Sequence, residues 1–280
     1  MQASIRGQKY WQRFLIYVLL ILGSIVFMIP FLWMVSSSLK ELPQIFVYPP
    51  QWIPDPFRWD NYVVTLGKMD FLVALKNTLL ITGLGVLGQL LSSSVVAYGF
   101  ARLRFPGREF LFLLVLSTMM LPPQVTMIPV FIIFRSLGWV DTFKPLIVPA
   151  FFGGGAFFIF LLRQFFLTIP KDLEDAARID GCGTFRIFWQ IILPLAKPAL
   201  ITVAIFSFMN HWNDFMGPLI YLNSAHKRTL AIALQSFQGQ FTAEWNLLMA
   251  ASIVVLIPVL VIFFALQRYF VEGIVLTGIK

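Results

Sequence analysis

Six strongly apolar stretches constrain this 280-residue chain more than any other feature. They cover residues 14–39, 77–100, 110–134, 145–162, 198–223 and 245–267, and only the fifth carries a formal charge, at Asp214. A helix needs about 20 residues to cross the hydrocarbon core of a bilayer, and these stretches have that length or nearly so. In lipid a helix satisfies its own backbone hydrogen bonds. We therefore predict an all-α membrane protein with six transmembrane helices.

Composition and charge support a membrane location. Hydrophobic residues make up 59% of the chain and charged residues 12%, against roughly 25% charged residues in soluble domains. The net charge of +8 does not indicate nucleic-acid binding, because the cationic residues are divided between the two sides of the predicted membrane. With the N-terminus inside, 13 of the 21 Lys and Arg residues are cytoplasmic: Arg6, Lys9, Arg13, Arg102, Arg104, Arg108, Arg163, Lys171, Arg178, Arg186, Lys197, Arg268 and Lys280. This excess predicts that both termini are cytoplasmic.

The predicted organisation has three parts. Residues 1–13 form a basic cytoplasmic lead, residues 14–271 form the transmembrane domain, and residues 272–280 form a cytoplasmic tail. The first apolar stretch is too long for the hydrophobic region of a signal peptide and lacks a small-residue cleavage site, so we expect it to remain as the first span. Residues 41–70 are rich in proline and predict an extended external loop. Cys182 is the only cysteine, which excludes an internal disulfide.

A polar loop at residues 169–198 separates the fourth and fifth stretches and is regularly patterned. Pro170 is predicted to begin a short helix, because a helix leaves its first backbone N–H groups unpaired and proline has none to lose. The next residues include several acids, which the positive end of the helix dipole favours. Four residues then recur at helical spacing and predict a narrow face of mostly small side chains: Leu173, Ala176, Ala177 and Asp180.

The same loop continues past a glycine turn. We expect Gly181 and Gly183 to adopt the left-handed backbone that ends a helix, and Thr184 to cap a second helix that reaches Pro194. A loop of this kind can be an ordinary amphipathic segment on the bilayer surface. It can also be a docking element for a partner protein.

Glycines and serines in the second span predict close helix packing, not phosphate binding. Small residues such as Gly83, Gly85 and Gly88 let helix backbones approach each other where lipid supplies no hydrophobic drive. The phosphate-binding pattern G-x-x-x-x-G-K-[S/T] occurs nowhere in the chain. We therefore expect that this chain does not hydrolyse ATP through a P-loop.

A polar and aromatic cluster lies in the outer half of the fifth span. It comprises His211, Trp212, Asn213 and Asp214. A carboxylate inside a span costs about 2.5–3.5 kcal/mol on insertion scales, so Asp214 must face protein or water. Aromatic rings beside polar groups suit a sugar, because the ring covers the C–H face while the polar groups bind hydroxyls. Alternatively, Asp214 pairs with a neighbouring span or caps the broken end of its own helix.

The segments DAARIDG and IILPLAKPAL resemble the cytoplasmic coupling motif of ABC importer permeases, in particular the carbohydrate-uptake branch. The segment WNDF at residues 212–215 is similar to the motif of the family's fifth span. The resemblance implies the type I ABC importer permease fold, in which the loop contains a coupling helix. It also implies the residues that dock onto the ATPase: Glu174, Asp175, Ala176, Ala177, Asp180, Gly181 and Pro194. Asp175 departs from the family, which usually has Glu at this position.

Such a permease works within a larger assembly. The resemblance implies a second permease subunit, a dimer of ATPase subunits that bind ATP and Mg²⁺, and an extracytoplasmic sugar-binding protein. This chain would carry no cofactor or metal and would perform no catalysis. It would translocate a sugar or oligosaccharide across the cytoplasmic membrane of a bacterium or archaeon. The motifs do not name the substrate, so glycerol phosphate or another polyol derivative is an alternative.

Two alternatives belong to other classes of protein. A secondary transporter needs ionisable residues within its spans, and only His211 and Asp214 qualify. A membrane-embedded enzyme would need a nucleophile or metal ligands beside this His–Asp pair, and the sequence shows no such spacing.

Overall fold

The computed structural model describes residues 2–239 and 243–275. Within these ranges the chain forms helices joined by turns and contains no β-strand. The α-helices are α1 (Gln2–Ser38), α2 (Asp60–Lys68), α3 (Phe71–Arg102), α4 (Arg108–Ser117), α5 (Pro123–Ser136), α6 (Lys144–Gly153), α7 (Ala156–Thr168), α8 (Asp172–Ile179), α9 (Thr184–Ile187), α10 (Leu193–Leu195), α11 (Lys197–Trp212), α12 (Met216–Tyr221), α13 (Leu230–Gln235) and α14 (Trp245–Val275). Short 3₁₀ segments occur at Leu42–Phe46, Thr118–Met120 and Ala225–Lys227, and a π-helical segment at Phe188–Ile192.

In the described part of the chain, four segments are long and apolar enough to cross a membrane: Trp11–Ser38, Phe71–Arg102, Lys144–Thr168 and Trp245–Ala265. Two bent helix pairs raise the number to six if each pair is one span. The all-α membrane fold is therefore confirmed.

Both ends of the chain differ from the predicted boundaries. Residues 2–13 of the predicted basic lead belong to α1 and are continuous with the first span. Helix α14 continues to Val275, which includes the start of the predicted tail. Residues 276–280 of that tail lie outside the described residues.

The third span is broken at its Pro-Pro pair. Segments Arg108–Met120 and Pro123–Ser136 meet at an angle of 101°. Pro122 has an extended backbone, with φ −60° and ψ 133°, and Pro123 begins α5. Proline supplies no backbone N–H and restricts the residue before it, so a Pro-Pro pair ends one helix and begins another.

The first helix of the fifth span is shorter than the apolar stretch at residues 198–223 predicted. Helix α11 ends at Trp212 after 16 residues, which extend about 24 Å. The helix is interrupted at Asp214, and the chain resumes as the short helix α12 after three residues. The span therefore consists of two helices with a polar interruption.

The fourth span contains a break that the sequence analysis missed. Gly154 and Gly155, with φ of 58° and 60°, separate α6 from α7. A Cβ at Gly154 would lie 3.0 Å from the Ser93 Cα of α3. The side chain of Gln89 donates a hydrogen bond to the Gly154 carbonyl, which the break leaves without a helical partner. Glycine therefore suits these positions for two reasons: it adopts the left-handed backbone, and it lets the chain approach α3 closely. Beyond the break, the span continues past Arg163 to Thr168.

The chain divides into two compact units. The first comprises Met1–Met69 and Leu234–Ile257. Its predicted extended loop at residues 41–70 is partly helical, because it contains the 3₁₀ segment and α2. The Asn61 side chain donates to the Ser38 and Lys40 carbonyls at 2.8 and 2.9 Å, which ties α2 to the end of α1. Thr65 donates to the Leu247 carbonyl at 3.3 Å.

The second unit comprises Asp70–Ala233 and Pro258–Lys280 and contains the candidate functional residues. Helix α3 lies at its centre and packs against α6, α7 and α11. The predicted close packing is confirmed at two glycines: a Cβ at Gly85 would lie 2.6 Å from the His211 ring, and one at Gly88 would lie 2.5 Å from the Phe151 ring. Gly83 has no such neighbour within 4 Å.

Candidate functional site

The first half of the polar loop forms the predicted short helix. Helix α8 begins at Asp172, with Lys171 as its N-cap, so Pro170 lies before the helix and not within its first turn. Asp172, Glu174 and Asp175 occupy the first turn, where the helix dipole favours anions. The helix ends at Ile179, with Asp180 as its C-cap, and Gly181 follows with a φ of 80°, which is left-handed as predicted.

The predicted small-residue face is not one surface. Of its four members, only Ala177 is buried, at 6% exposed. Leu173, Ala176 and Asp180 are exposed. The part of the predicted docking surface that a partner can reach therefore consists of Asp175, Ala176, Asp180, Gly181 and Pro194, which are all exposed.

Glu174 also lies inside the chain, which corrects its expected place on the docking surface. Its Oε1 atom is 3.0 Å from the Nε of Arg102, at the end of α3. The two side chains are 5% and 2% exposed, respectively. The sequence analysis missed Arg102, because it lies in a different span and no local pattern relates it to Glu174.

The second half of the loop forms the predicted second helix, which runs from Thr184 to Leu195 and contains a π-helical segment. The N-cap is Gly183, with an extended φ of −73°, so Gly183 is not left-handed and Thr184 is the first helical residue. Helix α9 passes into the π-helical segment and then into α10, where Pro194 is exposed. Proline cannot donate the next helical hydrogen bond, and a wider turn next to it accommodates that loss.

Exposed apolar side chains beside α8 add to the accessible surface and were not predicted. Ile179 is 87% exposed and Phe185 is 75% exposed. Phe185 stacks on Trp189, with ring centroids 6.4 Å apart. The sequence signal for this pair was the spacing of two aromatic residues four positions apart, which places them on the same side of a helix.

The four residues of the polar cluster at the end of α11 do not share one surface. Trp212 is buried at 3% exposed and stacks on Phe208 at 5.2 Å. Its indole N–H has no hydrogen-bond partner among the described residues. Asn213 is exposed, and its side chain donates to the Met209 carbonyl at 2.9 Å. Trp212 is thus not available to cover a sugar ring in this conformation, contrary to expectation.

Asp214 caps the helix that follows the break. Its Oδ1 accepts a hydrogen bond from the Gly217 backbone N–H at 3.0 Å, in the first turn of α12. This observation supports the capping alternative. The half-buried Asp214 and the exposed Asn213 still present polar atoms at the break.

His211 connects the cluster to the centre of the unit. Its ring packs directly against Gly85 of α3, so no side chain larger than hydrogen fits there without movement. Among the described residues no group of three or more His, Cys, Asp or Glu side chains could hold a metal ion.

Comparisons with known proteins agree with this geometry. Residues 90–275 match the family model of the binding-protein-dependent transport system inner membrane component. The chain is 37% identical to the arabinooligosaccharides transport system permease protein AraQ of Halalkalibacterium halodurans, over 81% of each chain. It is 33% identical to the sn-glycerol-3-phosphate transport system permease protein UgpE of Yersinia enterocolitica, over 92% of this chain and 94% of that protein.

A solved structure has the same fold. It is the crystal structure of a bacterial ABC transporter involved in the import of the acidic polysaccharide alginate. The TM-score is 0.80 at 25% identity, and the match covers 91% of this chain and 94% of the other.

Proposed function

This chain belongs to the family of binding-protein-dependent transport system inner membrane components and is a permease subunit of an ABC importer, and we propose that it carries a sugar or oligosaccharide inward. It is a multi-pass membrane protein. The observation that carries the proposal is the family match at residues 90–275, which includes both the docking loop and the polar break of the fifth span. Membership in this family favours an importer over a secondary transporter or a membrane enzyme.

The proposed assembly supplies what this chain lacks. The chain has no P-loop sequence, so ATP and Mg²⁺ bind on two ATPase subunits and this chain performs no catalysis. A second permease completes the pathway, and an extracytoplasmic binding protein delivers the substrate. The exposed Asp175, Ala176 and Gly181 surface docks onto an ATPase subunit in the cytoplasm, with both termini on that side.

The substrate class can be argued from charge. The break of the fifth span presents the carboxylate of Asp214 beside Asn213, and a carboxylate disfavours an anionic substrate. Neutral oligosaccharides therefore suit this break better than a phosphate ester. Glycerol phosphate is the second candidate, because UgpE is similar over nearly the whole chain.

Reconstitution tests the proposal. The complex of both permeases and the ATPase subunits is placed in proteoliposomes with its binding protein, and uptake of labelled arabinotriose, maltotriose and glycerol 3-phosphate is measured with and without ATP. We expect ATP-dependent uptake of an oligosaccharide. Uptake of glycerol 3-phosphate alone would identify the second candidate, and the absence of ATP-dependent uptake of all three would contradict the proposal.

The role of Asp214 in the pathway can be separated from its role as a cap. Asparagine is as good a helix cap as aspartate, so Asp214→Asn keeps the cap and removes the charge, whereas Asp214→Ala removes both. If Asp214 faces the substrate, both variants reduce uptake while basal ATPase activity remains. If it only caps α12, the Asn variant transports normally and the Ala variant loses stability by about 1 kcal/mol.

A further inference from the structure

The buried ion pair between Arg102 and Glu174 joins the central helix α3 to the docking helix α8. Arg102 is the last residue of α3, and Glu174 lies in the first turn of α8. The Nε–Oε1 distance is 3.0 Å, and both side chains are almost completely inaccessible. Arg178 approaches the other oxygen of Glu174 at 3.7 Å, but its side chain is 51% exposed and the contact is therefore screened by solvent.

The guanidinium of Arg102 also holds a third element. Its Nη2 donates hydrogen bonds to the Phe166 carbonyl and, at 2.5 Å, to the Ile169 carbonyl. These carbonyls lie at the C-terminal end of α7, where a helix has unpaired acceptors and where a cation is favoured. One planar side chain thus connects the ends of α3 and α7 with the beginning of α8.

A buried ion pair of this kind contributes little to the net stability of the fold. The desolvation of two buried charges offsets much of their attraction, and apolar residues of similar size often serve as well. The removal of one partner is costly, however, because the other charge is left buried and unpaired. The pair therefore holds α8 to α3 through the attraction of two buried charges, because Arg102 Nε and Glu174 Oε1 lie 3.0 Å apart but make no hydrogen bond within the described residues.

Helix α3 extends from this pair to the polar cluster of the fifth span. Gly85, which contacts the His211 ring, lies 17 residues before Arg102, a distance of about 26 Å along a helix. The two residues belong to one continuous helix. A displacement of the Arg102 end is therefore transmitted to the helix face that packs against His211.

We propose that Arg102 and Glu174 are positioning residues that hold the docking helix α8 to α3, so that the movement of α8 on the ATPase moves α3 and the pathway with it. The inference rests on the proposed function, because it assumes that α8 docks onto an ATPase. It differs from the expected role of Glu174, which was direct contact with that ATPase.

Two variants of the reconstituted complex test this role. Glu174→Gln leaves the exposed docking residues unchanged, so the ATPase subunits should still copurify. The number of substrate molecules transported per ATP hydrolysed should fall about tenfold. A change of this size lies within the range measured when residues located between two coupled sites of a protein are mutated. Asp172→Asn is the matched control, because it removes a charge from the same turn at an exposed side chain, and it should transport normally.

The second variant, Arg102→Met with Glu174→Leu, removes both charges and leaves none unpaired. It should insert and assemble, with ATPase activity retained and transport per ATP again reduced. The substrate is the member of the panel of arabinotriose, maltotriose and glycerol 3-phosphate that the unmutated complex transports.

The possible outcomes separate this inference from the proposed function. Normal transport per ATP in the double variant would show that the two charges only neutralise each other. A second outcome is that Glu174→Gln loses ATPase binding while the double variant binds normally, which would point to a fault caused by the unpaired charge. Either result overturns the inference while the function stands. If the unmutated complex shows no ATP-dependent uptake, the proposed function itself fails.

Discussion

Gly181 and Gly183 lie two residues apart in the docking loop and have different backbones. Gly181 has a φ of 80°, whereas Gly183 has an extended φ of −73° and precedes α9 as its N-cap. A side chain on a left-handed residue costs about 1 kcal/mol, whereas serine is among the best N-cap residues. We expect Gly181→Ser to lower the thermal stability of the loop and weaken ATPase docking, and Gly183→Ser to leave both unchanged or improved.

The same change at two neighbouring positions makes this a matched comparison. Copurification of the ATPase subunits and limited proteolysis at the loop measure the two effects. Neither glycine has a neighbouring atom within 4 Å of the position of an added Cβ, so steric contact within the chain does not complicate the result. Equal behaviour of the two variants would show that the left-handed turn does not position the docking surface.

Asp141 joins the loop between α5 and α6 to the loop that follows α12. Its carboxylate accepts hydrogen bonds from the backbone N–H groups of Asn223 and Ser224 at 3.0 Å each, and from the Ser224 hydroxyl at 2.5 Å. The ammonium of Lys227 lies 3.0 Å from Oδ2. These contacts to the ionised form hold the pKa of Asp141 well below its ordinary value.

A lowered pKa predicts the direction of a pH effect. The stabilisation by Asp141 is fully present above the pKa of the unfolded carboxyl, about 3.9, and is lost as the pH falls from there towards the lower folded pKa. Asp141→Asn tolerates the left-handed φ of 57°, removes the charge and replaces Oδ2, which accepts from the Ser224 hydroxyl and Lys227, with an amide donor. We expect the variant to have a lower Tm than the unmutated protein at pH 7, and the difference to shrink at pH 3. A difference that is constant with pH would contradict this account.

At the scale of elements, the contact between α3 and α11 depends on the size of one residue. A Cβ at Gly85 would lie 2.6 Å from the His211 Nε2, whereas one at Gly83 would have no neighbour within 4 Å. Overpacking typically costs about 1–3 kcal/mol, whereas Gly→Ala on an open helix surface gains up to about 1 kcal/mol. We therefore expect Gly85→Ala to lower Tm and uptake.

The control for this prediction is Gly83→Ala, on the same helix and two residues away. It should keep normal uptake with an unchanged or higher Tm. Thermal unfolding of the purified complex and the uptake assay provide the measurements. If both variants behave alike, α3 and α11 do not pack as closely as the structure indicates.

At the scale of the whole molecule, the excess of Lys and Arg on one side predicts an orientation that can be measured. In a Cys182→Ser background, Val63→Cys places a thiol on α2, where Val63 is 74% exposed. Pro106→Cys places one in the exposed turn between α3 and α4. An impermeant maleimide should label the first thiol in intact cells and the second only after permeabilisation. The reverse pattern would place both termini outside.

The spans, the polar loop and the break at Asp214 could be predicted from sequence, because each depends on interactions within a short segment. An apolar run must satisfy its backbone as a helix in lipid, and proline, glycine and acidic residues mark helix ends wherever they occur. The left-handed Gly181 and the break at Pro122 are local properties of this kind.

Only the tertiary structure decided which way each functional side chain faces. Helical spacing placed Ala176 and Ala177 together, and both Glu174 and Asp175 were expected on the docking surface, yet Glu174 and Ala177 are buried and the other two are exposed. Glu174 pairs with Arg102 at the end of another span, whose guanidinium requires an anion once it is taken out of water, whereas Ala177 packs into an apolar cluster with residues of other helices. Such a pairing joins residues that are distant in sequence, so no periodicity within the loop reveals it.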